Sequence, residues 1–296
     1  MAKTDFEQKI YDDVQKQKGT SFTIHASLLE RLLVKKTAVT NLHPNADDEF
    51  TFEDIGPSFK IIGEYEEKFR YALRHNQPVF DDALIVEKLH PKGYLLLNGH
   101  HRWAAAMRCQ IKKVPIKIVN LAQDSDIKKI LEKSNHDKRV TLDLDEVIFR
   151  GKDDKYTEKV PGFPHVMKFN NKIKLGIPAL FYYLTKNGYD IWVYSANYYS
   201  IDDIQRFFKH YSVHVDGIIT GTMKRKNNKS DSAVQREKMI ADKYKQTLHI
   251  DNDMILMTGD VEGAKYKKFE LDASPEEWSR KAIDIIGEII KDGQKA

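Results

Sequence analysis

The chain has 296 residues, 41% of them apolar, which is enough for one large core or two ordinary ones, and two domains are the expected division. A single cysteine, Cys109, excludes an internal disulfide framework, and no apolar run approaches the ~18 residues of a membrane helix. The opening MAKTDFEQKIYDD carries acidic residues where a signal peptide is apolar, so a reducing, cytoplasmic setting is expected, and the net charge of +4 leans towards anionic partners without identifying nucleic acid.

In the first half, TAVTNLH reads as a strand and runs into the acidic turn HPNADDEF, which holds Asp47, Asp48 and Glu49. A strand follows from Ala83 to Leu89, then a turn at Pro91 to Gly93, the strand YLLLN, a helix from about His100 and the strand VPIKIV. The informative stretch is NGHHRWAAA. A glycine before a helix lets the backbone approach a ligand, the free amides of the first turn attract phosphate, and His101 and Arg102 add donors. Gly99, His100, His101 and Arg102 are therefore candidate phosphate or nucleotide binders. An ordinary basic helix start, with Trp103 and the alanines in the core, accounts for the same residues equally well.

Residues 123–137, within AQDSDIKKILEKSNHDKR, are polar and helix-compatible and read as a helical linker between domains at 1–122 and 138–296. Beyond it strands and helices alternate. VTLDLDEVIF is a strand, IPALFYYLTKNGY a helix stopped at Gly188, DIWVYSA a strand, and SIDDIQRFFKHY a helix opened by Ser200 and Asp203 in a capping pattern. VDGIIT is a strand, SDSAVQREKMIADKYK has helical spacing of Val234, Met239 and Ile240, TLHID is a strand, and SPEEWSRKAIDIIGEII is a helix with Ser274 as cap and Pro275 first inside it. Such alternation predicts an α/β fold with right-handed crossovers, a parallel sheet and a ligand site at the carboxyl ends of its strands.

Several polar residues converge on that rim. Asp143 and Asp145 end the first strand, Ser195 the second, Lys229 lies in the loop KRKNNKS, and Asp251 with Asp253 follows the fourth. Crowded carboxylates repel and raise one another's pKa unless a cation neutralises them, so the pattern calls for a hard divalent ion, most simply magnesium. Taken singly, an Asp-x-Asp pair is more often a turn or a solvated pair, and KRKNNK reads equally as a solvated basic loop.

The ordered set DLDEV, strand-ending serine, loop lysine and DND resembles the haloacid-dehalogenase (HAD) superfamily of phosphatases and phosphotransferases, over residues 138–296. The resemblance implies a Rossmann-like domain in which Asp143 is the nucleophile and Asp145 the general acid and base. It further implies that Ser195 and a lysine of KRKNNKS, Lys229 by its place just before the helix rather than Lys224 or Lys226, hold the phosphoryl group, and that Asp251, with Asp253, completes a magnesium site with Asp143 and the backbone carbonyl of Asp145. Glu146 and Val147 depart from the Gly and Thr of many relatives. Only GKDDKYTEKVPGFPHVMKFNN, with its Phe163 to Phe169 segment, leaves room for a flap, so little or no cap is expected, and the site would admit a bulky group or rely on another domain as lid.

The strand, Gly-His-His-Arg, helix, strand order resembles the ParB/sulfiredoxin-like superfamily over residues 20–121, a smaller α+β domain whose corresponding turn binds nucleotide phosphates. His100 replaces the catalytic cysteine of sulfiredoxins, and no helix-turn-helix follows as in partition proteins. The kinase branch of that superfamily would need an acidic base, for which Asp47, Asp48 and Glu49 are candidates, although an exposed acidic turn is the commoner meaning of such a stretch. The leading expectation is a magnesium-dependent phosphohydrolase with an aspartyl-phosphate intermediate, its first domain binding a nucleotide or phosphorylated substrate. The alternatives are an ATP- or ADP-dependent kinase for a small hydroxyl compound, and a non-catalytic nucleotide-sensing module. A phosphorylated small molecule or nucleotide is the expected partner; a nucleic-acid end is disfavoured, and a homodimer is left open.

Overall fold

A computed structural model of the protein describes residues 4–159, 171–222, 231–259 and 266–293, and the chain divides into two compact units, Met1–Leu121 and Ala122–Ala296. Among the described residues no helix is long and apolar enough to cross a membrane.

The first unit comprises α1 (Asp5–Gln17), β1 (Phe22–Ile24), α2 (Leu28–Leu33), β2 (Lys36–Ala38), β3 (Leu42–Pro44), α3 (Phe59–Arg74), β4 (Leu84–His90), β5 (Tyr94–Asn98), α4 (His100–Arg108) and β6 (Lys113–Ile118). Its sheet runs β2-β6-β4-β5-β3, with β1 also paired to β4. Both pairing senses occur: β4 lies parallel to β6 and antiparallel to β5. The strand expected over TAVTNLH is broken into β2 and β3 by a tight turn at Val39–Asn41. That turn is held because Val39 is buried and its carbonyl accepts the Trp103 indole N–H at 3.2 Å. Ala104, Ala105 and Ala106 are fully buried, and their small side chains let α4 lie close on the core formed by Phe50, Ile62, Phe69, Leu84, Leu96 and Ile116.

The second unit comprises α5 (Asp124–Lys133), β7 (Lys138–Asp143), β8 (Phe149–Arg150), β9 (Lys172–Ile173), α6 (Ile177–Lys186), β10 (Tyr189–Ser195), α7 (Ile201–His210), β11 (Gly217–Thr220), α8 (Asp231–Lys243), β12 (Gln246–Ile250), β13 (Met254–Gly259), β14 (Lys267–Glu270) and α9 (Trp278–Gly293). The sheet order is β11-β10-β7-β12-β13-β14. β11, β10, β7 and β12 are parallel, as alternation with helices requires, and β13 and β14 add an antiparallel edge. β8 and β9 form a short antiparallel ribbon at the base of the expected flap; Phe163 to Phe169 lie outside the described residues.

One face of this sheet is dry. Val140, Leu142, Ile191, Val193, Leu248 and Ile250 pack beneath side chains of α6, α7 and α9, among them Phe181, Phe208 and Ile286. On the other face Trp192 and Ile219 meet Ile240 and Tyr244, together with Ile127 and Leu131 of α5. The segment expected as a linker is thus a core helix of the second unit: its sparse apolar residues form one stripe, and that stripe is buried. Two helix starts also differ from expectation. Ser200 precedes α7 without a side-chain capping bond to the helix, its hydroxyl facing Asp202 Oδ2 at 3.4 Å, and Asp203 pairs with Arg206. α9 begins at Trp278, with Ser274 and Glu277 closing a turn before it.

Candidate functional site

The rim of the second unit is built from β7 outward. At the end of this strand the chain enters a single wide helical turn, Leu144–Ile148, capped by Asp143. Asp143 Oδ1 accepts the backbone N–H groups of Asp145 at 2.7 Å and Glu146 at 2.8 Å. Its Oδ2 accepts no hydrogen bond among the described residues, which leaves one oxygen of a fixed carboxylate available for chemistry. Parallel pairing sets Tyr194 of β10 opposite Asp143 and brings the next residue, Ser195, to Asp145. The buried Ser195 hydroxyl donates to Asp145 Oδ2 at 2.5 Å, and the Tyr199 hydroxyl donates to Asp145 Oδ1 at 2.6 Å. The Asn197 amide donates to Ser195 Oγ at 2.9 Å and fixes its rotamer. Burial, reinforced by the bond to Asp145, pushes the Tyr199 pKa well above the usual phenol range, so it stays a proton donor.

On the opposite side of β7, β12 pairs Ile250 with Leu142 and so delivers Asp251 to the same level. Asp143 and Asp251 line one cavity of about 480 Å³. The intervening turn is tied down by Asn252. Its Nδ2 donates to the Glu146 carbonyl at 3.1 Å, its Oδ1 accepts from Lys174 Nζ at 3.2 Å and Arg150 Nη2 at 3.3 Å, and its carbonyl accepts the Trp278 indole at 2.7 Å. Lys174 is 3% exposed, with its ammonium 3.4 Å from the Trp278 ring centre. Burial, and then the charge of Arg150, lowers its pKa to about 7, against the opposing pull of Asp154 and Asp251.

Lys174, Arg150, Tyr199 and Asn252 were not legible as site residues. Lys172 begins β9 and Lys174 directly follows it, bridged to Thr157, and nothing local distinguishes the buried lysine from the other. Lys229 lies outside the described residues. Asp253 is exposed on the turn between β12 and β13, and its carbonyl accepts the Leu271 amide at 2.8 Å.

Among the described residues no group of three or more His, Cys, Asp or Glu side chains is placed to hold a metal ion. A magnesium ion keeps several waters and needs only one or two carboxylates with further oxygen donors. The donors here fit that smaller demand: Asp143 with an unbonded oxygen and Asp251 lining the same cavity, on adjacent parallel strands.

In the first unit, Gly99 joins β5 to α4 with φ 99°, and a Cβ there would stand 2.5 Å from Leu84 Cδ2, so the turn requires glycine. The Arg102 guanidinium lies over Gly99 and donates from Nη1 to the Asp82 carbonyl at 3.0 Å. His100 Nε2 accepts the Asn45 amide at 3.2 Å, and His101 Nε2 accepts the Ser58 amide at 3.2 Å. Burial lowers the His101 pKa, in keeping with a neutral ring that accepts at Nε2. His100 therefore braces the acidic loop against the glycine turn, and His101 ties the same turn to the start of α3. Of the three acids, Asp48 reaches it: Oδ2 lies 3.5 Å from His100 Nδ1, while Oδ1 caps Phe50 N at 3.0 Å. Asp47 is held through its amide on Asn45 Oδ1, and Glu49 is exposed. The remaining candidates for an anion are the first-turn amides of α4 and the guanidinium of Arg102.

Residues 77–135 match the family model of the ParB N-terminal domain, a stretch that takes in β4, β5, the glycine turn, α4 and β6 and runs on through α5. No curated protein matches the chain.

Proposed function

We propose that the second unit is a magnesium-dependent phosphohydrolase of the HAD type and that the ParB-like first unit binds a nucleotide or other phosphorylated ligand at Gly99 to Arg102. The observation that carries the reading is the unequal treatment of two carboxylates two residues apart. Among the described residues Asp143 keeps one oxygen without a hydrogen bond, whereas Asp145 has both oxygens taken by hydroxyl donors. Such a pair divides the labour between nucleophile and proton carrier.

In this mechanism Asp143 Oδ2 attacks phosphorus while the backbone amides on Oδ1 hold the carboxylate in line. The bond from phosphorus to the leaving oxygen breaks, and Asp145, protonated in the substrate complex with one of its two hydroxyl partners turned from donor to acceptor, delivers that proton to the leaving oxygen. Asp145 then takes a proton from water, whose oxygen attacks phosphorus and releases Asp143. Bound magnesium, held by Asp143, Asp251 and the Asp145 carbonyl, would neutralise the phosphoryl oxygens and let one anion approach another. Ser195, with its hydroxyl fixed by Asn197, orients Asp145 and stands beside the phosphoryl position.

The test is phosphate release with magnesium by the full chain across sugar phosphates, nucleotides, phosphoamino acids and phosphorylated DNA ends. Release by wild type that falls at least about a thousandfold in a folded Asp143→Asn variant is the expected result. Equal release by both proteins would contradict the mechanism.

A second reading draws on Asp48 beside the glycine turn: the first unit as an ATP- or ADP-dependent kinase for a small hydroxyl compound, with Asp48 as base and Arg102 on the phosphates. Nucleotide consumption that is lost in Arg102→Ala and survives in Asp143→Asn would favour it.

A further inference from the structure

A parallel sheet covered on both faces normally presents apolar side chains to both. The second unit departs from this on the face towards α8. Alternation along β7 turns Val140 and Leu142 to the dry core and Arg139, Thr141 and Asp143 the other way. Register sets Thr247 of β12 opposite Arg139 and His249 opposite Thr141. The result is a polar row across the middle of the sheet: the Arg139 Nε donates to Thr247 Oγ1 at 2.9 Å, its Nη1 donates to the Tyr194 hydroxyl at 3.2 Å, and Thr141 Oγ1 meets His249 Nδ1 at 2.7 Å. Among the described residues the apolar cluster on this face covers the β10 and β11 side. Over β7, β12 and β13 lies the cavity of about 480 Å³, in the size range of small-molecule sites.

Three features of this cavity point to its occupant. Arg139 has no ion-pair partner among the described residues, and of its guanidinium nitrogens Nη2 makes no hydrogen bond there, although the group is fixed by Thr247, Tyr194 and the Tyr244 ring, 5.4 Å away. The Tyr194 hydroxyl accepts from Arg139 and keeps its own proton to give. Two donors thus converge on one spot and suit an oxyanion. Glu237 of α8 also lines the cavity and its charge acts on Tyr194, which disfavours a doubly charged phosphate at this end more than a singly charged carboxylate. At its other end the cavity reaches Asp143 and Asp251. Four residue steps of extended chain, roughly 13 Å, take Arg139 to Asp143, and the Arg139 to Tyr194 bond turns the guanidinium towards the Asp143 end.

We propose that this cavity is a substrate pocket for phosphoesters of small carboxylic acids, the carboxylate held by Arg139 and Tyr194 while the phosphoryl group lies at Asp143. The proposal deepens the phosphohydrolase reading and rests on it for the orientation of the substrate, not for binding at Arg139.

Binding is measured first, by calorimetry on the full chain carrying Asp143→Asn, so that no turnover is needed. The probes are phosphoserine, a bisphosphorylated diol of similar length and a neutral-tailed alkyl phosphate. Tighter binding of phosphoserine than of the other two, weakened at least about tenfold in Arg139→Met and in the milder Tyr194→Phe, is the expected result. Steady-state kinetics of the same pocket variants, with Asp143 restored, should show KM raised for the phosphorylated acid and unchanged for the alkyl phosphate. Phosphoserine binding that is unaffected in a folded Tyr194→Phe and Arg139→Met, or that is no tighter than alkyl phosphate, would overturn the pocket assignment. Equal binding of the bisphosphate would overturn the preference for a carboxylate. Binding that depends on Arg139 without any turnover by wild type would sink the phosphohydrolase reading and leave the pocket standing.

Discussion

Lys174 shows how much of the site's electrostatics is settled by a single buried side chain. Its pKa is lowered from 10.5 to about 7, chiefly by burial, so between those values the unfolded chain binds a proton that the folded unit does not. Stability therefore rises with pH through that window, by up to about 1.4 kcal/mol per pH unit, and the burial penalty is fully present below pH about 7. Urea unfolding of wild type and Lys174→Met at pH 7 and pH 9 checks this. Wild type should gain relative to the variant at the higher pH, whereas a constant difference would mean that the ammonium stays charged in the fold. The same residue marks the limit of local pattern. The convergence of Asp143, Asp145 and Ser195 was legible because Asp143 and Ser195 end neighbouring strands and Asp145 opens the turn directly after the first, at the edge where an α/β fold gathers its loops. Lys174 and Arg150 acquire their position from Asn252, 78 and 102 residues further on, and no periodicity carries information over that distance.

Among the elements, α5 is where pattern and packing diverge most. Its segment reads as polar because only a narrow stripe is apolar, yet Ile127 is fully buried and Leu131 is 9% exposed against Trp192, Ile240 and Tyr244. Ile127→Ala is expected to lower the stability of the second unit by about 2–5 kcal/mol, as for a core position. A solvated linker would register within about 0.5 kcal/mol in the same urea titration. The parallel strands were readable from their alternation with amphipathic helices. β13 and β14 were not, since an antiparallel edge needs no crossover helix and leaves no such signature. The alternation Arg139, Thr141, Asp143 was present in the sequence too, but a short run bounded by Val140 and Leu142 passes for an ordinary buried strand until the neighbouring Thr247 and His249 are placed beside it.

At the scale of the whole molecule, the proposed function gives the two units two different ways of meeting phosphate. The first offers a glycine turn with φ 99°, helix amides and Arg102; the second offers paired carboxylates that need a cation. The two activities should separate genetically. Arg102→Ala should weaken nucleotide binding by the full chain at least about tenfold, the loss of one charge-assisted phosphate contact, while leaving magnesium-dependent phosphate release intact. Calorimetry and phosphate release on the same preparations read both quantities, and a variant that loses both together would show that one site serves both ligands.

The most direct test of the central claim is to catch the covalent intermediate. Full-length protein turning over a phosphoester with magnesium is quenched in acid within the first turnover, and the peptide containing Asp143 is examined by mass spectrometry. A phosphoryl group on Asp143, absent when Asp143→Asn is treated alike, is the expected result. Sustained phosphate release with Asp143 unmodified, and undiminished in Asp143→Asn, would contradict the account.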